Sequence, residues 1–217
     1  MSLQLRRATA GELPAAAGIL ADAFTDYPWT RWTVAADDHD RRLTALQELY
    51  LTAVALPYGH VDLGCTAEGL TTVAVWIPGT AVPHQVWREI GPAVADLAGD
   101  RAAATDAADA VLAPHRPVGE HLLLAGVGVA RPQQGRGLGA AALAPGLSRA
   151  DRDRIPVHLE TSAARNVRFY QRLGFTVTDV VDLPDGGPRT WLMHRAPLPA
   201  GTEPGATGTA VGAEPVG

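Results

Sequence analysis

The run Leu122-Leu-Leu-Ala-Gly-Val-Gly-Val129-Ala-Arg-Pro-Gln-Gln134-Gly135-Arg136-Gly137-Leu138-Gly139 carries an apolar segment into an alternating-glycine loop, and its reading decides the fold. Leu122–Val129 is short and apolar, as a buried strand is, and a helical pattern follows the loop to about Arg152. Alternating glycines let the backbone turn tightly and bring a row of N–H groups close to a ligand. The N-terminus of the following helix adds partial positive charge. Gln134, Gly135, Arg136, Gly137, Leu138 and Gly139 thus form a loop suited to phosphate or pyrophosphate, with the Arg136 guanidinium beside it. Glycine clusters are also plain turns, so the neighbouring segments must decide.

Outward from this loop the chain alternates strands and helices. Upstream are a strand at Leu3–Ala8, a helix with Leu13, Ala16, Ile19, Leu20 and Phe24 on one side, a second helix from about Asp37 to Ala55, and strands at Gly59–Cys65 and Leu70–Pro78. An alanine-rich stretch from Val86 to Leu112 reads as helix broken near Gly99, followed by the stiff turn Ala113–Pro117. Downstream come a strand at Val157–Glu160, a helix at Ala163–Leu173, and strands at Phe175–Val181 and Thr190–His194. Pro145-Gly146 should kink the helix after the glycine loop or end its first half. Residues 1–196 therefore read as one α/β domain, and 197–217 as a Gly/Ala/Pro-rich tail too poor in apolar residues to fold.

Two ligands fit the loop. Gly135, Gly137 and Ala140 have dinucleotide-binding spacing, with Glu160 about where a ribose-binding acid would stand. Against that oxidoreductase reading, the glycines begin five residues beyond the strand, and too little chain follows for a second mononucleotide half. The alternative is coenzyme A, its pyrophosphate on the loop and its pantetheine amides on free backbone groups of Val127, Gly128 and Val129. That reading asks for a nearby helix with polar groups aimed at the thioester. Asn166 and Tyr170, four residues apart on one helix face, supply them.

Gln134–Gly139, Asn166, Tyr170 and Leu173-Gly174-Phe175 together resemble the GNAT acetyltransferase superfamily. The blocks Asp26-Tyr27-Pro28, Leu46–Leu49, Val73–Trp76, Glu89–Pro92, Leu112–Pro117, Leu159–Ala163 and Pro188–Trp191 are similar to its puromycin-acetylating branch. The resemblance implies a GNAT fold: a mixed, mostly antiparallel sheet with a splayed coenzyme A-binding strand pair and flanking helices. It also implies acetyl-CoA as donor, a small-molecule amine such as an aminonucleoside as acceptor, and a setting of antibiotic resistance or self-protection. Tyr170 becomes the proton donor to the leaving thiolate, and Val127–Val129 amides polarise the carbonyl. Trp29, Trp32 and Pro57–Gly69 depart from that branch and bear on the acceptor.

Glu160, at a strand end beside the loop, is the first choice of base, with His158 on the same strand face. An α-amine of pKa ~7.7–8.0 needs only a modest one. Asp26, Tyr27, Trp29, Trp32 and Tyr50 are expected to bind the acceptor, the aromatics by stacking. A non-catalytic acyl-CoA sensor is the competing reading; it has no need of Tyr170.

Composition narrows the rest. The 217 residues carry net charge −5, which disfavours binding nucleic acid through phosphates. Cys65 is the only cysteine, so no internal disulfide or cysteine-rich zinc site can form and a cytoplasmic setting suits. No apolar stretch reaches the ~20 residues that span a bilayer, and Met1–Arg7 lacks the apolar core of a signal peptide. The expectation is a chain without metal or membrane partner, monomeric or homodimeric.

Overall fold

A computed structural model describes residues 3–199. Seven strands, β1 Gln4–Arg7, β2 His60–Thr66, β3 Gly69–Pro78, β4 Leu122–Val129, β5 Val157–Thr161, β6 Thr176–Asp182 and β7 Arg189–Arg195, form one sheet in the order β1-β2-β3-β4-β5-β7-β6. Only β4 and β5 run parallel. That excludes the doubly wound parallel sheet of the dinucleotide alternative.

Eight α-helices accompany the sheet among the described residues: α1 Leu13–Phe24, α2 Pro28–Thr33, α3 His39–Tyr50, α4 Leu56–Tyr58, α5 His84–Ala98, α6 Ala102–Leu112, α7 Leu138–Asp153 and α8 Ala164–Gln171. Alternation along β3 assigns the two faces. Val73 and Val75 meet Leu13, Ala16, Ala17 and Leu20 of α1, whereas Ala74 and Trp76 join Leu143, Leu147 and Ala150 of α7. On β7, Met193 faces the α7 side and Leu192 meets Trp32 of α2 and Ala108 and Leu112 of α6. Helices α1, α2 and α6 therefore share one face, with α7 and α8 on the other.

The expected helix over 37–55 begins at His39 and widens into a π-helical segment, Leu51–Ala55. The short α2 lies outside the sequence expectations; its signal is Pro28 at the first helical turn. At the other end, the expected tail of 197–217 is described only to residue 199, where the Leu198 N–H donates to Asp151; the rest lies outside the described residues. No helix among them is long and apolar enough to cross a membrane.

Pro145 lies inside α7 and does not end its first half, since the helix runs on to Asp153. The adjacent glycine has a packing reason. A Cβ on Gly146 would lie 2.2 Å from the ring of Trp76, a fully buried side chain on β3. Gly146→Ala is accordingly expected to lower stability by about 1–3 kcal/mol through overpacking, despite a gain of ~1 kcal/mol in helix propensity. Urea unfolding measures it; a more stable variant would show that the ring can move aside.

Candidate active site

The sheet opens where the glycine run leaves it. β4 and β5 pair only at Leu122↔Val157 and Leu123↔His158, and the strands then part. β4 bends at the same place, because Trp76 pairs with Leu124 and Val75 with Gly126, leaving Ala125 as an extra residue. The β5-facing edge of Val127, Gly128 and Val129 is thus not covered by a strand, as the coenzyme A reading requires. Gly128 also has a packing role, since a Cβ there would stand 3.1 Å from Leu20 of α1.

Beyond β4 the loop turns through two left-handed glycines, Gly135 at φ +78° and Gly137 at φ +79°. Gly137 caps α7, and the first-turn amides of that helix have no intrahelical acceptor. These are the donors an anion would engage. Gly139 brings α8 close: a Cβ there would lie 3.5 Å from Phe169. Gln134 donates to the Val129 carbonyl at 3.0 Å, fastening the loop to the strand end. Arg136, expected as a mobile guanidinium, donates to Gln133 at 2.8 Å, and Gln133 in turn binds Glu68. Gly137→Val forces a β-branched residue into positive φ, at ~1–3 kcal/mol of strain. The dissociation constant for acetyl-CoA is expected to rise about 10-fold or more while the protein still melts cooperatively; unchanged affinity by calorimetry would sink the phosphate-loop assignment.

Across the opening, α8 supplies Asn166 and Tyr170. Asn166 donates to the Thr161 hydroxyl at 3.2 Å. Tyr27, the residue just before α2, reaches that same hydroxyl at 3.0 Å and accepts the Ser162 N–H at 2.5 Å. Ser162 continues the chain to Thr190 at 2.8 Å. Tyr27, Thr161, Asn166 and Ser162 thereby tie both helix layers to the end of β5. Tyr170 is 8% exposed, with Phe169 and Phe175 edge-on at 5.0 and 5.7 Å, and its hydroxyl makes no hydrogen bond among the described residues. Burial, with Tyr27 nearby, pushes its phenol well above the ordinary value. It is a neutral donor at any working pH.

Glu160 lies on the α1 face of β5. Arg116 grips it with Nε at 2.6 Å and Nη2 at 3.3 Å while also binding Asp109. Burial would raise the Glu160 carboxyl, but His158 and Arg116 outweigh it and hold it below the usual value. This weakens Glu160 as the final holder of a proton. Sequence reasoning gave Arg116 no role: it sits in a proline-flanked turn 44 residues from Glu160, inside the Leu112–Pro117 block whose signal could have pointed to it.

The expected acceptor residues divide. Tyr27 is at the opening. Asp26 is instead bridged to Arg31 and Arg131, both at 2.9 Å, which lower its carboxyl and lock α1 to the start of the loop. Tyr50 packs with Val54, Val86 and Ile90 between α3 and α5, because its ring completes that apolar cluster. Trp32 is 7% exposed against Ala108, Leu112, Val181, Leu183 and Leu192, with Trp29 edge-on at 6.1 Å. Only an edge of Trp32 lines a cleft of about 540 Å³, which Pro28, Asp100, Arg101, Gly186 and Pro188 share.

Residues 107–175, from α6 to the end of the α8 turn, match the acetyltransferase (GNAT) family. An acetyltransferase from Corynebacterium glutamicum, described as histone acetyltransferase HPA2 and related, is 25% identical with a TM-score of 0.72, covering 93% of this chain and 100% of its own. The ribosomal-protein-S18-alanine N-acetyltransferase of Escherichia coli is 15% identical with a TM-score of 0.56, over 92% and 97% of the two chains. A Drosophila melanogaster polyamine N-acetyltransferase that forms N-acetylagmatine is 16% identical with a TM-score of 0.58, over 90% and 100%. These likenesses match the mixed sheet with its flanking helices to the GNAT fold.

Proposed function

We propose that this chain, an acetyl-CoA-dependent N-acetyltransferase of the GNAT superfamily, acetylates the primary α-amine of a small molecule, an aminonucleoside such as puromycin fitting best. The parting of β4 from β5 after two residue pairs carries the reading, because it joins a coenzyme side, at the glycine loop, to an amine side, at Glu160. The distributed blocks shared with the puromycin-acetylating branch support the acceptor class. A role in antibiotic resistance or self-protection fits that acceptor, and the single cysteine suits the cytoplasm.

Acetyl-CoA supplies the thioester. The α7 amides and the Gly135–Gly139 loop hold its pyrophosphate, the β4 edge holds its amides, and an N–H near Val127–Val129 takes up charge on the carbonyl oxygen. Arg136 adds a cation beside the loop. Glu160 removes a proton from the acceptor ammonium, and the freed lone pair attacks the carbonyl carbon. As the carbon–sulfur bond breaks, Tyr170 gives its proton to sulfur and regains one from the nitrogen that becomes the amide. Cys65, on β2 and across the sheet from β5, takes no part.

A panel of amines, puromycin among them, incubated with acetyl-CoA and read by mass and by thiol release, tests the function. Addition of 42 Da, on the order expected for one acetyl group replacing a hydrogen, should appear on an α-amine. Coenzyme binding without thiol release from any amine would favour the sensor.

A further inference from the structure

The face of β5 opposite Tyr170 carries a buried group that the mechanism above leaves unused. His158 is 3% exposed, and its Nε2 has no hydrogen-bond partner among the described residues. It lies 3.6 Å from Oε1 of Glu160, the carboxylate at the opening. An orphaned buried polar atom is destabilising, a cost an apolar side chain would avoid. The titratable groups around the imidazole come from every neighbouring element: Glu160 on its own strand, His194 opposite it on β7, and His121 ahead of β4. Arg116 and Asp109 act on it through Glu160. His121 meets His158 edge-on at 6.1 Å and is partly exposed, with its Nδ1 2.9 Å from the Gly119 carbonyl in a surface turn.

We propose that His158 relays the proton that Glu160 takes from the acceptor ammonium and passes it by way of His121 to solvent. This rests on the acetyl transfer proposed above. His158 acts through Glu160 and is a positioning and relay residue. The acceptor arrives as an ammonium and loses one proton to a Glu160 oxygen, keeping the lone pair that forms the new carbon–nitrogen bond. Glu160 recovers its charge by handing that proton to Nε2 of His158, which loses it through His121 to water. The second nitrogen proton restores Tyr170 after Tyr170 has protonated sulfur. One ammonium and one thioester thus yield one amide, one thiol and one released proton.

The surroundings favour passage over storage. Arg116 keeps Glu160 ionised, so the proton does not remain there. Burial and the two neighbouring histidines disfavour a charge on His194, so the cluster does not trap it there.

The test compares His158→Gln, His121→Gln and wild type, with puromycin and phenylalanine amide as acceptors, by kcat across pH 6.5–9 (about the range in which an α-amine of pKa ~7.7–8.0 titrates). His158→Gln should lose about 10-fold or more in kcat at the acid end, the scale of an assisted proton transfer. The gap should close as pH rises and the amine arrives neutral, with the acetyl-CoA dissociation constant unchanged. His121→Gln should show the same shape with smaller amplitude. A folded His158→Gln whose ratio to wild type is constant over pH overturns the relay. Should that variant not fold, a His121→Gln profile parallel to wild type overturns it instead. Wild type that releases no thiol with either amine overturns the acetyl-transfer reading itself, and the relay with it.

Discussion

Tyr170→Phe is expected to slow the chemical step by about 10²-fold or more, the scale of a general acid, and to leave acetyl-CoA affinity within about twofold of wild type. The separation follows from the packing. Phe keeps the ring that Phe169 and Phe175 meet edge-on, and the lost hydroxyl has no partner among the described residues to orphan. Folding should therefore be close to unchanged. The pH dependence has a definite sign. Burial raises the phenol, so its proton stays in place from neutrality to well above the amine's own titration, and the ratio of variant to wild type should be flat across that range. Single-turnover thiol release measures the step, and a variant as fast as wild type would reduce Tyr170 to a packing residue.

Legibility from sequence follows a physical division. Elements that bury a periodic face can be read locally: α1, β4 and the β2–β3 hairpin follow from apolar spacing, and the break at Gly99 from its backbone freedom. The glycine loop can be read because positive φ demands glycine at Gly135 and Gly137. The bulge at Ala125 and the parting of β4 from β5 depend on how strands pair across the sheet, and no residue type in Leu122–Val129 encodes partner register. The same limit applies to charges. Glu160 is visible as a carboxylate at a strand end, but its state depends on Arg116, which only the fold delivers. Asp26 and Tyr50 were plausible acceptor ligands by residue type; two arginines and the α3–α5 seam take them up instead.

Trp32→Ala is expected to lower stability by about 3–5 kcal/mol, the cost of emptying a buried aromatic site. The sequence suggests that Trp32 selects the acceptor, but its ring joins α2 and α6 to the ends of β6 and β7. A Cβ on Gly187 would come within 2.8 Å of it, so the β6–β7 turn is shaped to the indole. Its main-chain carbonyl also anchors Arg101, whose Nε donates at 2.7 Å. Against a typical stability of ~5–15 kcal/mol this is a large fraction, equivalent to a fall in Tm of roughly 6–20 °C for a domain of this size. Trp32→Phe separates volume from polarity. The indole Nε1 is buried without a partner, so Phe removes an orphan donor while retaining much of the contact, and its loss should be only ~1 kcal/mol. Trp29 is only partly buried, and Trp29→Ala should cost less stability than Trp32→Ala. If Trp32→Ala instead melts within about 2 °C of wild type, less than the ~2–4 °C expected per kcal/mol, while the preference between puromycin and a small α-amine shifts ~10-fold, the indole is a wall of the acceptor site and the cluster around it closes without it.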